Sequence, residues 1–156
     1  MDKGEILASI ISELEKNLGV LYTSAQEAKE YSTSDQSKAE NKYDTRGLEA
    51  SYLAGAQSKR VEEFRKVLFQ IQQMELRNFA EGDTISVSAL VEVLVNGEDN
   101  KWFFVLPASG GSMEYKGHKI QTLTLEAPLG EKLWKQSVGS VFDHNNNEYE
   151  VLSISW

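Results

Sequence analysis

Two stretches of this chain carry an apolar rhythm that helices alone can use. Read backward, Ala28, Ala25, Leu21, Leu18, Leu14, Ile11 and Leu7 fall at unbroken steps of three and four; Tyr43, Gly47, Ala50, Ala54, Gln57, Val61, Phe64, Leu68 and Ile71 repeat the rhythm further on. Such spacing lays one stripe along each of two helices at the 3.5-residue period of a coiled-coil seam. Between them, residues 32–37 are Ser, Thr, Asp and Gln, which compete with helix by bonding their own backbone. The two stripes can then be buried only by folding back into an antiparallel hairpin. Near the turn the facing residues are Ala25, Ala28, Gly47, Ala50 and Ala54, so the hairpin is expected to narrow toward its tip. A first helix from residue 4 to residue 31 would be about 40 Å long at 1.5 Å per residue, which suits a device that reaches into something. The second helix is expected to restart between residues 37 and 43 and to end near Arg77.

The helical pattern stops at residues 78–83, NFAEGD, where the composition changes and a turn signal follows. A domain boundary is therefore expected between 78 and 79, giving a hairpin of residues 1–78 and a second domain of residues 79–156. In that second part the period becomes strand-like. Residues 84–95 are rich in β-branched side chains, Asn96-Gly97 marks a turn, and residues 101–106 form an apolar run with Trp102, Phe103 and Phe104. Residues 107–112, PASGGS, read as a loop without the Lys-Ser/Thr of a phosphate cradle. Residues 120–125 alternate as a strand, Pro128 opens a short helix over 129–136, and 140–142 and 149–155 form a last hairpin turning through 143–148. The fold class expected is α+β: a helical hairpin followed by a small antiparallel sheet domain with one short helix.

Charge and composition exclude several functions. The formal net charge is −8; residues 1–78 hold 11 basic and 13 acidic side chains, residues 79–156 hold 5 and 11. Neither half has the positive excess that direct nucleic-acid binding draws on. With no cysteine there is no disulfide or thiolate chemistry, and His118 and His144 have no zinc-site spacing. No apolar run reaches transmembrane length, and the first residues thread acids through their apolar positions where a secretion signal would not, so a cytoplasmic, membrane-free protein is expected. Trp102, Trp134 and Trp156 read as core. Lys59, Arg60, Arg65 and Lys66 read as a solvated basic face paired with Glu62, Glu63 and the first helix, the alternative being contact with an acidic partner.

Both halves, taken in order, resemble the Gre family of bacterial transcription elongation factors, in a short and divergent form. The resemblance is carried by Ala127-Pro128-Leu129-Gly130, Val138-Gly139-Ser140 and Tyr149-Glu150-Val151-Leu152 in the second half, and by Tyr43 with Tyr52-Leu53-Ala54-Gly55 on the second helix. It implies an FKBP-like second domain and RNA polymerase core as the partner, with the hairpin entering the secondary channel. Nucleic acid would be met only through the elongation complex. The protein would be no enzyme itself, at most a factor stimulating the polymerase's own RNA cleavage, and would act as a monomer. Partner contacts implied are Glu126, Ala127 and Pro128, and Tyr43 and Arg46 near the tip. Members that promote cleavage place two tip carboxylates on a magnesium ion shared with the polymerase, because Mg²⁺ takes one or two carboxylates plus phosphates and water.

The tip spacing differs from those members: Asp35 and Glu40 are five apart, and Glu40 precedes Tyr43 by three. Glu40 and Asp44, four apart, would share a face if they stood on the first turns of the second helix. They read either as Mg²⁺ ligands used in complex with polymerase or as acids complementing the helix macrodipole; Asp35 reads as an N-cap or turn residue. Three functions are carried forward: a cleavage-promoting regulator, a channel-occluding inhibitor, and a non-catalytic coiled-coil interaction protein. The FKBP-like fold alone does not imply prolyl isomerase activity.

Overall fold

The structure, a computed structural model, describes residues 1–155; Trp156 and the expectation that it is core lie outside the described residues. Two long helices come first, α1 over Lys3–Thr33 and α2 over Arg46–Gln72. The seam read from the sequence is the buried stripe: every position from Leu7 to Ala28 and from Gly47 to Ile71 is buried or half-buried. Arg65 of α2 lies 5.9 Å over the ring of Tyr22 of α1, so the two helices pair across that stripe. Off the seam Lys59 pairs with Glu63, and Arg65 with Glu62 as well as with α1, as expected of a solvated face. Among the described residues no helix is long and apolar enough to cross a membrane.

Tyr43 departs from the seam and is 79% exposed. The reason is that α2 begins at Arg46, later than the sequence suggested. Asn41 takes the backbone that a helix would have used: its side-chain oxygen accepts from the Tyr43 N–H at 2.9 Å and its carbonyl from the Asp44 N–H at 3.1 Å. At the other end α2 stops at Gln72, short of Arg77. There the backbone serves other partners, since the Arg77 N–H donates to Ser88 Oγ at 2.9 Å and the Arg77 carbonyl accepts from the Lys3 ammonium.

Contacts divide the chain into two compact units, Ile11–Phe69 and a second made of Met1–Ile10 with Gln70–Trp156. A cut between residues 78 and 79 follows the covalent chain; the helix ends cluster with the sheet. In that unit Ile6 and Ile71 have no exposed surface, and Glu5 accepts from the Tyr115 hydroxyl and from Lys116 Nζ at 2.9 Å. Six strands form one sheet: β1 Leu90–Val95, β2 Asp99–Val105, β3 Gly111–Tyr115, β4 His118–Leu123, β5 Val141–His144 and β6 Asn147–Ser155. Their order is β3-β4-β2-β1-β6-β5, antiparallel throughout except for the parallel β2–β4 pair. The expected α+β architecture is therefore present, and β3 is an element the sequence reading left out.

A pair of residues at the start of each hairpin loop explains its turn; the loop is two residues long at Lys116-Gly117 and Asn145-Asn146 and three long after Val95, which pairs with Asp99. Asn96-Gly97, Lys116-Gly117 and Asn145-Asn146 all have both φ values positive, the turn geometry whose twist matches that of the flanking strands. The Lys116-Gly117 pair was the available sign of β3. One face of the sheet carries Val91, Val93, Val95, Phe103, Val105, Val151 and Ile154, closed by Phe79, Ile85 and the short helix α3, Pro128–Leu133, through Leu129 and Leu133. On alternate positions Leu90, Phe104, Leu106 and Ile120 are buried as well, which is why β1 and β2 read as continuous apolar runs and not as alternation. α3 is shorter than the expected 129–136. Lys135 adopts φ 63°, and its N–H donates to the Ile85 carbonyl at 3.2 Å, taking the chain out of the helix. Trp134 caps α3 and is 50% exposed, against the expectation that it is core; Trp102 is half-buried.

Candidate functional site

The hairpin tip is built by short polar side chains that seize the backbone where α1 ends. Ser32 Oγ donates to the Lys29 carbonyl at 2.7 Å and Ser34 Oγ to the Tyr31 carbonyl at 2.8 Å. A single 3-10 turn, Asp35–Ser37, follows. Ser37 is 2% exposed, and its hydroxyl lies within hydrogen-bond distance of the carbonyls of Ser34, at 2.9 Å, and Ser32, at 3.1 Å. Against it stands Gly47 on the first turn of α2: a Cβ at that position would lie 2.7 Å from the Ser37 carbonyl oxygen. Ser37 and Gly47 thus lock the loop at its root.

Three acids and three bases occupy residues 35–46, and they neutralise one another. Asp35 pairs with Lys38, both well exposed. Asp44 and Glu40 both face Arg46: Arg46 Nε is 2.8 Å from Asp44 Oδ2, and an Arg46 terminal nitrogen is 3.5 Å from Glu40 Oε1. The Asp44 carboxylate is further engaged by backbone donors. The Glu40 N–H donates to Oδ2 at 3.0 Å and the Arg46 N–H to Oδ1 at 3.0 Å. These two backbone bonds, joined by the Arg46 side-chain bond, hold the Asp44 pKa down at about 2, and the same partnership raises that of Arg46. Lys42, the remaining base, lies 4.9 Å over the ring of exposed Tyr43.

Glu40 and Asp44 therefore meet, but not as the sequence suggested. They precede α2 and are joined through a loop and a guanidinium; no helical face presents them together. Mg²⁺ needs free carboxylate oxygens in near-octahedral array, whereas Asp44 has only 13% of its side chain exposed and spends both oxygens on internal donors. The pair as arranged does not fit a magnesium ion. Glu40, 74% exposed, and Asp35, 89% exposed, are the outward carboxylates of the tip. Among the described residues no group of three or more His, Cys, Asp or Glu side chains is placed to hold a metal ion. Sequence reasoning assigned Arg46 to a partner, and it placed Ser37 among the tip residues that bond their own backbone but missed its burial against Gly47. The signal for Arg46 was its position two residues after Asp44 at a helix start, where one carboxylate can serve both the backbone and the side chain.

The other predicted contact segment lies before α3. Glu126 and Pro128 are exposed, and Ala127 is half-buried as the N-cap. Proline at the first helical position costs no hydrogen bond there. Below it Gly130 is buried so tightly that a Cβ would overlap the Thr124 carbonyl, 2.9 Å from its carbon and 3.0 Å from Leu125 Cα. The segment is thus held rigidly on the core by Leu129 and Leu133.

In class, the molecule is an antiparallel helical hairpin joined to a six-stranded, mostly antiparallel sheet domain with one short helix. Among solved structures it is similar to the crystal structure of GreA factor homolog 1 (Gfh1) of Thermus thermophilus, at 20% identity over 94% of each chain with a TM-score of 0.38. It is also similar to a second structure of the transcription factor Gfh1, at 21% identity over 92% of each chain and a TM-score of 0.38. No family model matches the chain, and no curated protein does.

Proposed function

We propose that this chain is a Gre-like regulator of transcription elongation, a cytoplasmic monomer without catalysis of its own, which binds core RNA polymerase and places its hairpin tip in the secondary channel. Support comes from the ordered resemblance of both halves and from a hairpin whose seam narrows to Ala25, Ala50 and Ala54 before a loop locked by Ser37 and Gly47. A hairpin built to oligomerise would keep large seam residues along its whole length. Of the two modes, occupying the channel is preferred to supplying metal ligands, and one observation carries that preference: the Asp44 carboxylate is spent on Arg46 and two backbone N–H groups. Glu126, Ala127 and Pro128 form the anchoring contact, and Tyr43, 79% exposed, is the most exposed aromatic ring at the tip.

The test is a transcription assay on stalled elongation complexes. The wild-type protein is expected to co-sediment with core polymerase, to slow nucleotide addition or displace a cleavage factor, and to stimulate no cleavage of its own. Substituting Glu126 and Pro128 together should weaken polymerase binding with the melting curve unchanged. Strong cleavage stimulation abolished by Glu40→Ala would replace occlusion with the metal-sharing mode. A protein that does not bind polymerase at micromolar concentration removes both and leaves the interaction-module reading.

A further inference from the structure

We infer that Arg46 is a built-in cation that takes the place of a divalent metal ion between Glu40 and Asp44, so that the tip is folded and charge-neutral without metal and is closed to it. The guanidinium stands where an ion bridging the two carboxylates would stand, 2.8 Å from Asp44 and 3.5 Å from Glu40. An arginine never gives up its charge and offers its donors as a planar fork, so it makes a permanent counter-ion. It is also tethered two residues from Asp44, on the first turn of α2, and holds its place without being drawn from solution. A metal ion entering here would have to displace Arg46 and in addition strip the Glu40 and Arg46 backbone N–H groups from the Asp44 oxygens. Those two bonds define the loop between the helices, so metal entry would cost the loop its conformation.

Arg46 therefore determines specificity: it decides which cation the tip acids serve. Exclusion of metal by Arg46 needs no polymerase and is tested on the free chain, so its failure removes the preference for occlusion but leaves polymerase binding standing, and loss of polymerase binding leaves the exclusion untouched. Mn²⁺ is the probe, added to isotope-labelled protein while the broadening of backbone amide signals is followed by NMR. In the wild type the amides of residues 40–46 are expected to broaden no more than those beside the exposed acids Glu62 and Glu63. In Arg46→Met the same tip amides should broaden selectively, at Mn²⁺ concentrations lower by roughly ten- to a hundredfold, the range over which neighbouring groups commonly set metal affinity. Arg46→Lys, which keeps the charge, should behave as wild type. Ser37 and Gly47 amide shifts report whether the loop lock survives. Where methionine disorders it, Arg46→Gln, able to donate to Asp44 without the charge, gives the same reading. Selective broadening of the tip in the wild type, or no gain in either neutral variant, overturns the inference.

Discussion

Replacing Gly130 by alanine sets two opposed effects against each other at one position. Alanine is the better helix former by about 0.8–1 kcal/mol, and Gly130 lies inside α3, so propensity alone says stabilise. The structure says the reverse. The added methyl would sit inside the Thr124 carbonyl, and that carbonyl already accepts from the Ala127 N–H at 3.1 Å. Relief requires α3 to lift or the 124–127 turn to open. Overpacking of this kind costs about 1–3 kcal/mol, and losing the turn's hydrogen bond adds about 1 kcal/mol. After the propensity gain, the net expectation is a destabilisation of about 1–3 kcal/mol, felt in the sheet unit because Leu129 and Leu133 move with the helix. For a unit of this size that corresponds to a fall in melting temperature of roughly 5–20 °C. Tryptophan fluorescence is the suitable probe, since all three tryptophans follow residue 79 and none lies in the hairpin. Gly19→Ala and Gly55→Ala provide the control: both glycines are helical with nothing within 4 Å of the new methyl, so the same substitution should stabilise the hairpin or leave it unchanged. A Gly130→Ala protein melting at or above the wild-type temperature would show that the Thr124 contact is soft and refute the reasoning.

Three further outcomes are expected. Gly47→Ala should destabilise the hairpin despite its helix propensity, by about 1–2 kcal/mol net, and should shift the amide signals of Ser37 and its neighbours, since the methyl meets the Ser37 carbonyl; an undisturbed tip spectrum would contradict the lock. Leu18→Ala, at a half-buried seam position, should cost about 1–3 kcal/mol, the low side of buried leucine truncations, while Gln36→Ala at the exposed tip should stay within about 0.5 kcal/mol, both read from the far-UV helical signal. The Asp44 clamp should depend on pH in a set direction: a folded pKa lowered to about 2 contributes stability that is complete above the unfolded aspartate value near 3.9 and is lost as pH falls toward 2. Tip amides of Glu40 and Arg46 should therefore hold their shifts from neutral pH down to about 4, and an earlier change would mean that Asp44 is not held as described.

The sequence by itself determined the two seams from Leu7 to Ala28 and from Gly47 to Ile71, though not their end at Tyr43, because burial along a helix depends only on which residues recur at its own period. It also determined the strands around Asn96-Gly97 and the place of Pro128, where a turn or a helix start is a property of two or three adjacent residues. Tertiary structure decided the remainder. β2 and β4 became parallel neighbours because β3 returns through Lys116-Gly117, a pairing between distant segments that no local period records. The helix ends joined the sheet unit, where Ile6 and Ile71 have no exposed surface and the Arg77 N–H finds Ser88 Oγ. At the tip, the four-residue spacing of Glu40 and Asp44 spoke of a shared helical face, but Asn41 and Asp44 took the backbone N–H groups first and delayed α2 to Arg46. The partners of those acids were a tertiary outcome as well: Asp44 holds the Arg46 guanidinium together with two backbone donors while Glu40 stays 74% exposed, a meeting of side chains that the spacing of the acids along the chain does not record.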